Sequence, residues 1–203
     1  PRRSRRLLPL PADLPLGYHT IAVAHGETEG RAHLIMAPAR CFVPDWLEQG
    51  ERLWGVQTHL YPLRSRRDWG IGDFTDLATL ARETAAAGGD VVGLNPLHAL
   101  FPGWPEHASP YSPSSRSFLN PLFVDPQAAA GGDNAALAAL LHRPQVRALL
   151  ERARKARWVD YPAVAELKEQ ALTTAYDALP LQPEAIQSFE SFKVAGGEAL
   201  RRF

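Results

Sequence analysis

The sequence predicts an α/β fold with a parallel sheet. An apolar-leaning run at Leu53–Tyr61 is followed by a helical pattern from Phe74 and then by the short apolar run Val91–Leu94. Strand, helix and strand within about 45 residues make one βαβ unit, whose two strands must run parallel. A long aperiodic stretch leaves the second strand, and the rest of the chain is helical in pattern.

Composition fits this class. At 203 residues, with 45 % hydrophobic and 22 % charged side chains, the chain can bury a core without disulfides and is not disordered in character. Twenty-two basic and 22 acidic side chains cancel, so no general attraction to nucleic acid or an anionic membrane is expected. No apolar run approaches the ~20 residues of a membrane-spanning helix. Cys41 is the sole cysteine, which suits a reducing compartment, and a cytoplasmic location is expected. Eighteen prolines are well above the usual ~5 % and predict long ordered loops.

Residues 1–16 are basic, then proline-rich, and read as an extended lead-in. Tyr18–Ala24 and Arg31–Met36 are β-prone runs about a turn at His25–Gly30, which predicts a hairpin too small to fold alone. It reads as the end of a small β module over residues 1–45, ahead of a second region, 46–203. The first parallel strand is expected over Leu53–Tyr61. Asp73 is placed to cap a helix whose Phe74, Leu77, Ala78, Ala81 and Ala85 share one face, and burial of Leu77 and Ala81 against the sheet follows. Gly88-Gly89 stops that helix, and Val91–Leu94 reads as a strand buried on both sides.

From Asn95 to Asp133 there is almost no periodic segment, only prolines from Pro96 to Pro126 among aromatics and serines. Such a length of ordered irregular chain is usually functional. It leaves the carboxyl end of a parallel strand, where α/β folds place their sites. Beyond it, Asp133 is placed to cap a helix ending near His142. Pro144 opens a second, Asp160 and Pro162 a third carrying Val164, Leu167, Ala171 and Leu179, and Pro183 a fourth with Ile186 and Phe189 inward. The chain stops at Phe203 in mid-helix and reads as a piece of something longer. Two strands do not close a barrel, so the sheet as written is incomplete.

Most general chemical motifs are missing. Gly70-Ile71-Gly72 starts like a dinucleotide fingerprint but lacks the last glycine, and there is no P-loop or nucleophile elbow. The seven histidines never pair at metal-ligand spacing, so no metal site is expected. The clusters Arg64-Arg66-Arg67 and Arg152-Arg154-Lys155-Arg157 read as solvated surface. What remains is Ser109–Pro121, where prolines hold Tyr111 beside hydroxyls, Arg116 and Asn120. An aromatic face with hydrogen-bonding tips suits a sugar. Composition alone equally allows Tyr111 and Phe118 to do no more than pack the loop.

Five segments taken in order carry a resemblance. They are Trp54-Gly55-Val56-Gln57, Trp69–Phe74, Asn95–Phe101, Ser109–Ser115 and Asn120-Pro121-Leu122, followed by Val159-Asp160-Tyr161 on a helix with Lys168. From Leu53 to Phe203 the chain resembles the 4-α-glucanotransferases, or amylomaltases. The segment before Leu53 resembles the end of the β-rich extension of one bacterial branch. The resemblance implies an incomplete (β/α)8 TIM barrel, first strands plus a helical insertion, that acts on α-1,4-glucans and maltooligosaccharides without a cofactor. The implied reaction is retaining transfer to an acceptor 4-hydroxyl. By similarity Tyr111 would stack on the donor sugar, Ser109 and Pro110 would shape the neighbouring subsite, and Asn95, His98 and Asn120 would organise the loop. No catalytic residue is expected in this chain, because the family's carboxylates belong to later strands, so the chain alone is expected to be inactive. Asp73 reads as a helix cap and Asp125 as loop structure. The rival readings are a non-catalytic glucan-binding module and a hydrolytic relative.

Overall fold

The computed structural model describes residues 7–132, 134–178 and 183–203. They fall into two units, divided between Arg52 and Leu53.

In the first unit, β1 (Gly17–His25) and β2 (Thr28–Met36) form an antiparallel hairpin, with His25 opposite Thr28. The connection is Gly26-Glu27 alone, tighter than the six-residue turn expected. Gly26 takes φ 60 and no other residue there has positive φ, the pattern of a type II′ turn that follows the twist of the strands. One face is half covered through His19, Ile21, Leu34 and Met36, while Tyr18 and Ile35 lie exposed on the other. A short helix α1 (Asp45–Glu48) follows.

In the second unit, β3 (Gly55–Thr58) and β4 (Val91–Leu94) pair in parallel, Gly55 opposite Val91, as the βαβ pattern predicts. Strand β3 is shorter than Leu53–Tyr61 because the chain turns at Leu60, whose N–H donates to the Asn95 side chain at 3.2 Å instead of continuing the ladder. Helix α2 (Phe74–Ala86) joins the strands. Asp73 accepts from the N–H groups of Thr75 and Asp76, and Asp76 accepts from the Asp73 N–H, a complete capping box. At the other end Gly88 and Gly89 donate to Ala85 and Thr84, closing the helix in a Schellman pattern.

Burial of this unit departs from expectation. Ala81, Ala78 and Ala85 are exposed, and the covered stripe of α2 runs through Leu77, Leu80 and Thr84. Val91 is 48 % exposed rather than buried on both sides. Two strands cover only a narrow stripe of a helix, and α2 covers only one face of the strands.

The stretch after β4 is not wholly irregular. It contains an antiparallel ribbon of β5 (His98–Ala99) and β6 (Ser115–Leu119), a 3-10 turn at Pro121–Phe123 and α3 (Pro126–Ala129). Alternation over so few residues gives no periodic signal. Then come α4 (Ala135–His142), α5 (Pro144–Lys155), α6 (Tyr161–Asp177) and α7 (Pro183–Arg202), the last interrupted at Gly197. Asn134 caps α4 through a bond from Leu137 N–H, while the expected cap Asp133 lies outside the described residues, as does Leu179. Asp160 caps α6 as expected.

The core forms between these helices and the loop after β3. Leu60, Trp69 and Ile71 pack with Val146, Val164 and Leu167, all at most 3 % exposed. This explains the glycines of Trp69-Gly70-Ile71-Gly72. A Cβ on Gly70 would meet that of Ala153 on α5 at 2.7 Å, and one on Gly72 would meet the Leu60 carbonyl oxygen at 2.2 Å. They serve close packing.

Candidate functional site

The carboxyl ends of β3 and β4 open into a cleft of about 530 Å³ walled by Gln57, Thr58, His59, Leu94, Asn95 and Tyr111, among others. Parallel strands end here with their side chains splayed, so this is where loops can converge on a ligand. Tyr111 arrives from the long loop on a β-turn closed by Ser112 N–H to Ser109 oxygen at 3.2 Å. Pro110 holds the second position of that turn, and Tyr111 the third without positive φ, as in a type I turn. The ring is 65 % exposed and stands at the cleft wall.

The other predicted residues are distributed unevenly. Asn95 is buried on the cleft side, its Oδ1 accepting from Leu60 N–H while its Nδ2 finds no partner among the described residues. Ser109 is exposed and Pro110 half-buried in the Tyr111 turn. His98 lies in the ribbon opposite Leu119. Asn120 is buried, accepts from Leu122 N–H at 3.0 Å and donates its own N–H to Leu97 oxygen at 2.9 Å. It lines a separate cavity of about 570 Å³ with Leu100, Phe101 and Lys168. Thus Tyr111 and Asn95 share the cleft, while Asn120 and His98 do not line it. Gln57, Thr58 and His59 were not singled out from the sequence, although their position at the end of a parallel strand is the signal that finds them.

Beside the core, Arg67 gathers three carboxylates. It bonds Asp73 through both guanidinium nitrogens, Asp76 at 2.7 Å and Asp125 at 2.8 Å. Its side chain is 30 % exposed, and Arg154 donates to the Asp68 carbonyl at 2.6 Å, so neither basic cluster is purely solvated surface. Two of the acids that recruit Arg67, Asp73 and Asp76, come from the nearby start of α2, and the third, Asp125, comes from the start of α3, 58 positions on. Lys168 reaches in from α6 and donates to the Val124 carbonyl. Burial opposes the charge on Asp73, but the Arg67 bond, the Asp76 N–H and the Lys168 charge outweigh it and hold its pKa below the ordinary value. Burial pushes Lys168 down to about 8 against the upward pull of Asp73 and Asp125. Asp73, Asp76 and Asp125 are therefore committed to Arg67 and helix starts, and none lines the cleft. Among the described residues no group of three or more His, Cys, Asp or Glu side chains is placed to hold a metal, and no helix is long and apolar enough to cross a membrane.

A sequence profile described as 4-alpha-glucanotransferase matches residues 58–203, most of the chain and all of the cleft-bearing loops. The chain belongs to the 4-alpha-glucanotransferase family. Residues 2–38 match a second profile, the MalQ N-terminal beta sandwich domain. The chain is 39 % identical over 165 residues to the 4-alpha-glucanotransferase of Haemophilus influenzae, covering 81 % of this chain and 24 % of that protein. It is 48 % identical over 122 residues to the Mycobacterium tuberculosis 4-alpha-glucanotransferase, covering 57 % of this chain and 17 % of the relative. The crystal structure of amylomaltase from Corynebacterium glutamicum aligns with a TM-score of 0.61 at 27 % identity, over 94 % of this chain and 27 % of that one. The chain thus spans about a quarter or less of the length of these relatives. A mixed α/β fold like that of amylomaltase is established for it.

Proposed function

We propose that this chain is part of a cytoplasmic 4-alpha-glucanotransferase, with residues 1–45 ending a β-rich module and 46–203 beginning a (β/α)8 domain. The substrate is an α-1,4-glucan, and a segment of it passes to the 4-hydroxyl of an acceptor by a retaining double displacement. In that reaction one carboxylate attacks the anomeric carbon, an acid protonates the leaving oxygen, and the acceptor hydroxyl then displaces the enzyme. Those carboxylates come from later strands. This chain supplies the sugar platform.

The observation that carries the reading is Tyr111, exposed on a proline-led turn at the wall of a cleft above two parallel strand ends. A flat aromatic there offers its face to the apolar C–H face of a glucose ring while Gln57, Thr58 and His59 provide hydrogen-bonding partners nearby. Ser109 and Pro110 shape the adjoining subsite, and Asn95, His98 and Asn120 hold the loops. In the full-length enzyme Tyr111→Ala is expected to lower both kcat and kcat/KM on maltotriose, because stacking strengthens as the sugar flattens toward the transition state. Tyr111→Phe is expected to keep most of the activity. Unchanged kinetics in Tyr111→Ala, with only a lower Tm, would show that the ring merely packs the loop.

A further inference from the structure

No hydrogen bond or ring contact among the described residues holds the Tyr111 side chain, so the place of its ring is set by the backbone that carries it. That backbone lies in a segment, Leu100–Ser114, with no helix or strand of its own. Its two ends must meet at one point, and the ribbon beneath does not fix that point by itself. The ladder slips between His98, opposite Leu119, and Ala99, opposite Ser115. A ladder with such an irregularity is a weak register mark.

Ser114 supplies what the ladder lacks. Its N–H donates to Ala99 oxygen at 3.0 Å, and its hydroxyl lies 2.7 Å from Leu100 oxygen and 3.0 Å from Ala99 oxygen. One hydroxyl proton serves one carbonyl at a time, and the shorter contact is to Leu100. The side chain thereby ties the last residue of the segment to its first. Between Ser114 and Tyr111 stand only Ser112, committed to the type I turn, and Pro113, whose ring fixes φ. A shift at Ser114 therefore moves the Tyr111 ring with little slack to absorb it.

We propose that Ser114 is a positioning residue, whose hydroxyl closes the Leu100–Ser114 loop and so sets the Tyr111 ring in the cleft. The proposal rests on the reading of Tyr111 as a sugar platform. Ser114 itself is not among the residues lining the cleft, so its effect on turnover passes through Tyr111.

The test is a double-mutant cycle in the full-length enzyme, with maltotriose kinetics and thermal melts for Ser114→Ala, Ser114→Thr, Tyr111→Ala and the double variant. Loss of one hydrogen bond is expected to lower kcat/KM about fivefold in Ser114→Ala. Ser114→Thr, which keeps the hydroxyl, restores it. In the Tyr111→Ala background the Ser114→Ala change is expected to cost nothing further, because the ring it positions is gone. Equal losses in both backgrounds overturn the proposal, as does Ser114→Ala with wild-type kinetics. So does a fall in Tm with kcat/KM unchanged at temperatures where the variant stays folded, which is a scaffold role only. If Tyr111→Ala itself is kinetically silent, the platform reading fails and Ser114 falls with it. If Tyr111→Ala is impaired and Ser114→Ala is not coupled to it, only the positioning role is lost.

Discussion

Lys168 is 1 % exposed, and burial lowers its pKa from 10.5 to about 8 although Asp73, Asp125 and Asp76 pull it upward. Between those two values the unfolded chain binds the extra proton, so stability from this group rises with pH across the window. The Tm of wild-type protein relative to Lys168→Met is therefore expected to increase from about pH 7.5 to about pH 10. A flat difference would place the amine in a wetter setting than the structure does. Tyr161, raised to about 12, acts in the opposite sense only above its unfolded value of 10.0, which is why the comparison stops there. Asp73 sets the acid side. Its pKa is held below 3.8, so its contribution is present above that value and is lost as pH falls through its lower folded value. Asp73→Asn is expected to blunt the acid-side loss of Tm. Lys168 was visible in the sequence only as part of a motif, because the groups that bury and surround it lie 43 to 101 positions away in the chain.

The joints between elements are held by Arg67, which links the loop after β3 to the start of α2 and the start of α3. Removing one partner of a buried charge group leaves the others unpaired, so Arg67→Met is expected to cost about 3–5 kcal/mol by denaturant unfolding. Asp125→Asn removes one of the stranded charges. The double variant should accordingly lose less than the sum of the single losses, and strict additivity would show that Arg67 and Asp125 do not act together. Elements of this kind were legible in uneven degree. The cap at Asp73, the stop at Gly88-Gly89, the parallel pairing of Val91–Leu94 and the proline-opened helices are local events with local signals, and the sequence pattern places them well. The ribbon of β5 and β6 was missed because each strand is too short to show alternation. Arg67 reads as surface from the sequence because the nearby Asp73 is legible only as a helix cap, while Asp125, 58 positions on, leaves no periodic trace. Tyr111 could be singled out from the residues around it, whereas its cleft partners Gln57, Thr58 and His59 needed the strand end to be located first.

For the molecule as a whole, the decisive geometry is a two-stranded parallel sheet with one helix on it. Both outer strand edges are unpaired among the described residues, Val56 and Trp54 are 38 % and 52 % exposed, and the Ala78, Ala81 and Ala85 face of α2 is open. Parallel sheets are otherwise found covered on both faces, so these surfaces are built to be buried. The relatives are about four times longer than the part this chain spans in Haemophilus influenzae. Asp73, Asp76 and Asp125 are engaged by Arg67 and by helix N-termini, and none of the three lines the cleft. A retaining transfer needs two carboxyl groups about 5–5.5 Å apart across the scissile bond. The purified 203-residue chain is therefore expected to convert no maltotriose into longer maltodextrins or glucose, while binding an apolar dye through its open sheet and helix faces. Mass spectrometry of the sugar mixture and dye fluorescence read the two halves of this expectation separately. A ladder of longer maltodextrins from the isolated chain would mean that carboxylates within it, freed from Arg67, perform the displacement. Absence of dye binding would mean that the second unit covers its apolar faces in a way that the two-stranded sheet does not provide.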